Sequence, residues 1–201
     1  MSEVDILLKK SLEDHLNLVK TLSESQDFFD NIKKIIEVVW NALQDKRKII
    51  ICGNGGSMAQ SIHLAEELTG RFRHERPPIA AIALSDPGHI SCVGNDYGFE
   101  YIFSRMVESI GNHGDILILL TTSGMSQNLI EAALSARNKG ILTIGFTGKS
   151  GGTLAPLLNY ELRVPYEGFS DRIQEIHTLC LHLLVEGVEY KYFAMGNQLN
   201  S

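Results

Sequence analysis

The chain has 201 residues, of which 44% are hydrophobic and 21% charged, so it suits one compact domain and is too apolar to be largely disordered. It has 18 basic and 24 acidic residues, and the net charge of −6 argues against nucleic acid or an anionic membrane as the main partner. Apolar runs such as 116–120 are far shorter than the ~20 residues that span a bilayer. The acidic N-terminus lacks a secretory signal, and three cysteines without metal-binding spacing predict reduced thiols in a cytoplasmic protein.

The first 45 residues predict a helical N-terminal extension with a break at 23–26. Apolar side chains recur there at three- to five-residue steps: Ile6, Leu7, Leu12, Leu16, Val19 and Leu22, then Phe28, Ile32, Ile35, Ile36, Val39 and Leu43. So apolar a stripe must be covered. Packing on the chain's own domain is the default interpretation, and a subunit interface is the alternative.

From residue 46 to 192, apolar runs alternate with helical stretches, which predicts an α/β fold. We expect strands over 48–52, 79–84, 115–120, 141–146 and 161–164, and helices over 57–69, 101–110, 127–138 and 170–192. Strands that are apolar on both faces indicate a central parallel sheet with helices on both sides, which is a three-layer sandwich. We expect one domain over 1–201, with a polar, frayed tail over 193–201.

Two strand ends carry sequences that suit a small ligand, because open parallel sheets bind ligands beyond the carboxyl ends of their strands. The hydroxyl loop, 121–126, has four hydroxyl groups directly before a helix, so it can bind a phosphate, although Ser126 could simply cap that helix. The glycine loop, 53–57, fits neither a dinucleotide fingerprint nor a P-loop, since Met58 stands at the third glycine position and no Lys-Ser/Thr pair follows. It predicts a tight turn that lets the backbone approach a ligand.

Two predicted helices carry side chains that suit metal binding or acid–base chemistry. His63 and Glu67 are four residues apart on one face, where they could ligate a divalent ion, act as an acid–base pair or form an ordinary helical pair. Their spacing alone favours the ordinary pair. Gln174 and His182 are about 80° apart around the terminal helix and roughly 12 Å apart along it, so both can border one cavity. His177 points away from His182, and spacing alone favours one buried structural histidine on this helix.

The motifs occur in an order that resembles a known family. In sequence they are GNGGS at 53–57, HLAEELTGR at 63–71, GNDYG at 94–98, TSG at 122–124, TGK at 147–149 and RIQEIH at 172–177. Over about residues 5–190, the chain resembles the sedoheptulose 7-phosphate (phosphoheptose) isomerases of the sugar isomerase (SIS) domain superfamily. Each motif alone is weak evidence, but the ordered set is specific.

The resemblance implies a flavodoxin-like fold, a homotetramer with active sites between subunits, and one zinc ion per subunit. It also implies conversion of sedoheptulose 7-phosphate to D-glycero-D-manno-heptose 7-phosphate through an enediol, the first step towards activated heptose for bacterial surface glycans. The implied metal ligands are His63, Glu67, Gln174 and His182, of which Glu67 and His182 are also the implied acid–base pair. The implied substrate-binding residues are Asn54, Gly55, Gly56, Ser57, Glu67, Asn95, Asp96, Thr121, Thr122, Ser123, Ser126, Asp171 and Gln174.

The hydroxyl loop departs twice from the family's usual Ser-Thr-Ser-Gly-Asn-Ser. Thr121 replaces the first serine and keeps its hydroxyl, whereas Met125 replaces the asparagine and removes an amide that could contact the sugar. The alternative functions are isomerisation of another sugar phosphate, or a non-catalytic SIS-domain regulator of the type that binds the bacterial replication initiator. Such regulators have lost the metal and acid–base residues. All of those residues are present here, so the sequence favours an enzyme.

Overall fold

The computed structural model describes residues 1–198 of the chain. The helices are α1 Glu3–Ser23, α2 Gln26–Gln44, α3 Gly56–Thr69, α4 Pro87–Asp96, α5 Ser104–Ile110, α6 Gln127–Asn138 and α7 Ser170–Gln198. The strands are β1 Ile49–Gly53, β2 Ala81–Ala83, β3 Ile116–Leu120, β4 Leu142–Gly148 and β5 Tyr160–Val164. Within these residues, we find no helix whose length and apolar character would let it cross a membrane.

The five strands form one parallel sheet in the order β2-β1-β3-β4-β5. Ile51 of β1 pairs with Ile118 of β3, which pairs in turn with Ile144 of β4. This is the flavodoxin-like strand order, in which the chain changes direction across the sheet between β1 and β3. The loops after these two strands lead to helices on opposite faces, and a crevice opens between them.

Alternate side chains of each central strand enter different cores, one on each face of the sheet. In β3, Ile116, Ile118 and Leu120 pack with α1, α2, α3 and α7. Leu117 and Leu119 pack on the other face with α4, α5 and α6. Both faces of the sheet are therefore covered by helices, and the predicted three-layer α/β sandwich is confirmed.

The two N-terminal helices are covered to different extents. On α2, the predicted apolar stripe is buried at Phe28, Ile32, Ile35 and Val39. On α1, Leu18 and Leu22 are buried, but Leu7, Leu12 and Leu16 are 65–66% exposed. The default expectation, that the chain's own domain covers the whole stripe, is wrong for this part of α1. His15, beside Leu16, contacts Glu175 of α7 at 2.7 Å, so Leu16 is exposed because it faces away from the domain.

Several predicted boundaries need correction. The predicted strand 79–84 is shortened to Ala81–Ala83, and the predicted helix 101–110 begins only at Ser104, after a turn of 3-10 helix at Phe99–Tyr101. The predicted polar tail is helical through Gln198, because α7 continues past residue 192. The rest of that tail, 199–201, lies outside the described residues.

The chain also contains a helix, α4, that the sequence analysis did not predict. The Asp86 carboxylate caps its N-terminus by accepting a hydrogen bond from the N–H of His89 at 2.6 Å, and Pro87 occupies the first turn. Val93 is its buried residue. A helix with so small a buried face has almost no apolar periodicity, which explains why the pattern failed to predict it.

Candidate active site

The structure brings His63 and Glu67 of α3 together with His182 of α7. The two histidine Nε2 atoms are 2.9 Å apart, and Nε2 of His63 is 3.5 Å from a carboxylate oxygen of Glu67. One ligand atom from each of the three residues lies within 4.8 Å of the others. Imidazole nitrogens and carboxylate oxygens are ligands of Zn²⁺ and similar ions. The three side chains, called the triad below, therefore fit a divalent metal ion and are more than an ordinary helical pair.

The surroundings of the triad differ on its two sides. The Glu67 side chain is only 15% exposed, whereas that of His63 is 40% exposed, so the triad is open to solvent on the His63 side. A carboxylate oxygen of Glu66 lies 3.5 Å from Nδ1 of His63. The ring of Phe72 lies 5.7 Å from that of His182. A ligand can thus reach the triad past the exposed His63, whereas Glu67 is largely covered by the protein.

A second group of predicted residues lines a cleft of about 130 Å³ at the crevice between β1 and β3. The residues that line this cleft are Asn54, Ser57, Leu120, Thr121, Thr122, Ser123, Ser126, Leu129, Ser170 and Gln174. Three helices begin here: α3 next to Ser57, α6 next to Ser126 and α7 at Ser170. Each helix N-terminus presents unpaired N–H groups and the positive end of a helix dipole. The cleft therefore suits a phosphate group.

The hydroxyl groups of the cleft are used in two ways. Thr121 Oγ1 accepts a hydrogen bond from the N–H of Gly124 at 3.1 Å, and Ser123 Oγ accepts one from the N–H of Met125 at 3.2 Å. These two bonds shape the hydroxyl loop. Ser126 stands at the N-cap of α6, but its side chain makes no capping hydrogen bond. Capping therefore does not explain Ser126, whose hydroxyl is available to a ligand.

Contacts between loops hold the cleft in shape. The side-chain amides of Asn54 and Asn128 each donate a hydrogen bond to the other, at 2.9 and 2.8 Å, and so join the glycine loop to α6. Gly55 has a φ of +54°, a left-handed conformation that favours glycine. Sequence reasoning missed Asn128, whose one signal is an amide in the first turn of the helix after the hydroxyl loop.

The remaining predicted site residues lie apart from the triad. The Gln174 amide lies against Gly56 in the cleft, where a Cβ on that glycine would be 2.8 Å from its nitrogen. Asn95 and Asp96 are the last two residues of α4, and both are exposed. The Asn95 side-chain amide donates a hydrogen bond to the Asp96 carboxylate at 2.7 Å. Asp171 is exposed in the first turn of α7. Within the described chain, Asn95, Asp96 and Asp171 do not line the cleft.

The triad and the cleft lie along the same two helices. Gln60 Nε2 of α3 donates hydrogen bonds to the Gln174 carbonyl oxygen and to Thr178 Oγ1 of α7, both at 2.7 Å. Further along both helices, His63 meets His182. The two helices therefore run in the same direction, with the cleft at their N-termini and the triad further along.

His177 has a role different from that of His182, as predicted. It is fully buried, its Nε2 donates a hydrogen bond to the carbonyl oxygen of Thr147 at 3.0 Å, and its ring stands edge-on to Phe146. Burial lowers the pKa of His177 to about 4, although the bond to Thr147 opposes that shift. His177 is therefore a neutral core histidine.

The fold and these two centres define a SIS-domain protein, and the SIS domain family model matches residues 12–148. The phosphoheptose isomerase of Cytophaga hutchinsonii is 43% identical over 186 residues, which cover 92% of this chain and 97% of that protein. A structure of a phosphoheptose isomerase from Francisella tularensis has a TM-score of 0.87 at 34% identity, covering 94% of this chain and 98% of that one. The corresponding Neisseria gonorrhoeae structure has a TM-score of 0.87 at 31% identity, with 93% and 99% covered.

Within the SIS-domain class, the chain belongs to the phosphoheptose isomerase family. The resemblance found in the sequence motifs is confirmed, and so is the expectation that the chain is an isomerase.

Proposed function

We propose that the chain converts D-sedoheptulose 7-phosphate to D-glycero-D-manno-heptose 7-phosphate, the first step of activated heptose biosynthesis. One observation carries this proposal: a cleft formed by three helix N-termini and a His–Glu–His triad lie along the same two helices. The sugar phosphate binds with its phosphate in the cleft, and its carbonyl end reacts at the triad. The identity with phosphoheptose isomerases over most of the chain supports this choice of sugar.

Phosphate recognition is assigned to the hydroxyl loop and the helix N-termini. Thr122, Ser123 and Ser126 offer hydroxyl groups, and the first turn of α6 offers N–H groups and a positive dipole end. Binding energy from the phosphate then orients the far end of the sugar. The other proposed sugar contacts are Asn54, Gly55, Gly56, Ser57, Glu67, Asn95, Asp96, Thr121, Asp171 and Gln174.

We propose that the triad holds one zinc ion per subunit, with Gln174 as the predicted fourth ligand. Bound there, the ion supplies positive charge beside the carbonyl oxygen of the sugar and offsets the negative charge that develops on it. The nitrogen and oxygen ligand set and the spacing of the triad support this site. Gln174 lies in the cleft and not beside the triad, so its role as a metal ligand stays a prediction.

Isomerisation moves one proton between two carbons and another between their oxygens. We assign the carbon-bound proton to Glu67, which removes it from C1 of the ketose and returns it to C2. His182 donates a proton to O2 and accepts one from O1, so that an enediol forms and then collapses to the aldehyde. An imidazole suits this transfer because it has two ring nitrogens, so that Nδ1 can carry the proton while Nε2 faces His63 at the triad.

A single assay tests the proposal. The purified chain is incubated with sedoheptulose 7-phosphate, the aldose product is followed by NMR, and the assay is repeated after chelation and after zinc add-back. Turnover that is lost on chelation and restored by zinc supports both the reaction and the metal. If folded, zinc-loaded protein shows no turnover, two further assays distinguish the alternatives. A panel of pentose and amino-sugar phosphates tests for another substrate, and a binding assay with the replication initiator tests for a regulator.

We further propose that the chain is a single SIS domain that assembles as a homotetramer with active sites between subunits. The exposed apolar face of α1, formed by Leu8, Leu12 and Leu16 at four-residue steps, supports assembly, because large apolar patches on a soluble protein mark contacts. The exposed positions of Asn95 and Asp96, outside their own cleft, suit a substrate held mainly by a neighbouring subunit. We also propose a cytoplasmic location, where the three free cysteines stay reduced.

Light scattering after size-exclusion chromatography tests the assembly. Replacing both Leu12 and Leu16 by serine should lower the mass from that of a tetramer, whereas the control Lys10→Ser, on another face of α1, should leave it unchanged. A mass that stays the same in the double variant contradicts the role of α1.

A further inference from the structure

A buried ion pair lies between the two helices that carry the triad. The side chains of Arg76 and Glu189 are only 1% and 3% exposed, and Nε of Arg76 is 3.2 Å from a carboxylate oxygen of Glu189. Glu189 lies on α7, two helical turns beyond His182. Charged side chains are rarely buried so completely, and the attraction of a buried pair is largely offset by the cost of removing both groups from water. Stability alone therefore explains this pair poorly.

The guanidinium of Arg76 also holds the end of α3. It donates hydrogen bonds to the carbonyl oxygens of Glu67 at 2.6 Å and Leu68 at 2.8 Å, and a longer one to that of Gly70 at 3.4 Å. Carbonyl groups in the last turn of a helix lack intrahelical partners and form the negative end of the helix dipole. One side chain thus holds the backbone of Glu67 and ties it to α7 through Glu189.

A second polar contact joins the same helices on the other side of the triad. Gln60 donates from α3 to Gln174 and Thr178 of α7, as described above. His63, Glu67 and His182 lie between this contact and the Arg76–Glu189 pair. The two contacts together fix the position of α3 along α7, and that position determines whether His182 lies within reach of His63 and Glu67.

We propose that Arg76 and Glu189 are positioning residues for the isomerase reaction, acting through the Glu67 backbone and the α3–α7 contact. This inference rests on the proposed function, because it concerns the geometry of the proposed metal and acid–base site. Arginine is required because its planar fork can bond to Glu189 and to several carbonyl groups at once, which a lysine cannot.

The test compares Arg76→Lys and Glu189→Gln with the wild-type chain. Zinc affinity is measured by competition with a chromophoric chelator, kcat and KM are measured on sedoheptulose 7-phosphate, and thermal unfolding is followed by circular dichroism. The control is Asp115→Asn, which breaks the ion pair with Lys48 between the starts of β1 and β3. It reports what the loss of a less deeply buried ion pair outside the triad does to stability alone.

We expect Arg76→Lys to lower zinc affinity and kcat by about tenfold or more, as losses of groups that orient metal ligands do, with a much smaller change in KM. Asp115→Asn should leave zinc affinity and kcat unchanged, even if it lowers the unfolding temperature as much as Arg76→Lys does. If Arg76→Lys does not fold, Glu189→Gln decides, because it keeps the size and an oxygen acceptor of the native side chain.

Zinc affinity and kcat close to wild-type values in a folded variant would overturn the positioning role. So would losses in Asp115→Asn as large as those in the two test variants. A wild-type chain that neither binds zinc nor turns over the sugar contradicts the proposed function itself, and the positioning role with it. An active wild-type chain with unaffected variants contradicts the positioning role alone.

Discussion

The Nε2 atoms of His63 and His182 share a hydrogen bond of 2.9 Å across the contact between α3 and α7. Two neutral rings can make this bond only if one donates its N–H and the other accepts it. A metal ion held by His63 and His182 would take the place of that proton, which would then move to Nδ1 of the donating ring. Glu66, 3.5 Å from Nδ1 of His63, is placed to stabilise a proton there. Metal binding at the triad would thus require a change of tautomer in two side chains that are already close together.

Zinc binding should distinguish the two histidines of α7. His182→Asn removes a side chain of the triad, so we expect zinc affinity to fall by at least about 100-fold. Loss of a group that only orients a metal ligand already lowers metal affinity by up to about 100-fold. His177→Asn, five residues earlier on the same helix, changes a core residue and should leave zinc affinity close to wild-type. Chelator competition measures both. An equal loss in the two variants would show that the triad is not the zinc site.

Glu67→Gln should nearly abolish turnover, because an amide cannot accept the proton from C1. We expect kcat to fall by about 10²–10⁴-fold while KM changes little, since the phosphate contacts are untouched. The assay uses saturating zinc, with metal content measured in each sample, so that loss of metal and loss of the base are separated. Glu131→Gln on α6 serves as the control. If Glu67→Gln retains more than about a tenth of kcat, Glu67 is not the base.

Ser126→Ala separates phosphate binding from helix capping. Because the Ser126 side chain makes no capping bond, its loss should leave the free energy of unfolding nearly unchanged. It should raise KM for the sugar phosphate by about tenfold, the cost of one hydrogen bond to a charged group. Ser25 does cap α2 by accepting from the N–H of Phe28 at 3.2 Å. Ser25→Ala should therefore lower the free energy of unfolding by about 1 kcal/mol and leave KM unchanged. The reverse pattern would contradict the phosphate assignment.

Stability should fall in mild acid because of His177. Burial lowers its pKa to about 4 in the folded chain, below the ordinary value of 6.5. Between these values the unfolded chain binds more protons, so the free energy of unfolding falls as pH falls, by roughly 3 kcal/mol from this residue. His177→Gln keeps a donor for the Thr147 carbonyl and should show a shallower decline. Urea unfolding between about pH 7 and pH 4 measures both slopes, and equal slopes would contradict this origin.

The three thiols should react very differently. Burial raises the pKa of Cys180 to about 12 and that of Cys52 still higher, whereas Cys92 is exposed. The thiolate is the reactive form, so iodoacetamide near neutral pH should label Cys92 in the folded chain and spare the other two. Mass spectrometry of the peptides identifies the labelled site. Unfolding in guanidinium should make all three thiols reactive, and early labelling of Cys52 would contradict its burial in the sheet.

The sequence predicts local features of this molecule better than contacts between distant residues. Strands such as β3 are predictable because both faces are buried, which leaves a continuous apolar run. The two ligand loops are predictable because they follow such strands. Spacing along the chain does not predict that His63 meets His182, since 119 positions separate them and only the packing of α3 on α7 joins them.

The residues that the sequence did not predict share a physical cause. Asn128 and Arg76 act on groups that are distant in the chain or belong to the backbone, and neither contact leaves a pattern of its own. The α4 helix did carry a signal, because Asp86 followed by Pro87 is a typical helix start. The apolar stripe that identifies the other helices is absent from α4.

The hydroxyl loop packs against the loop after β4 at two glycines. A Cβ on Gly124 would lie 1.8 Å from the carbonyl oxygen of Gly151, and one on Gly152 would lie 2.5 Å from that of Gly124. The next residue, Met125, is 58% exposed and is free of this constraint. The backbone of this proposed phosphate-binding loop therefore tolerates little change, whereas the side chain at position 125 can vary at little structural cost. If the proposed phosphate site is right, sugar preference can change by substitution at position 125 while the backbone of the loop stays the same.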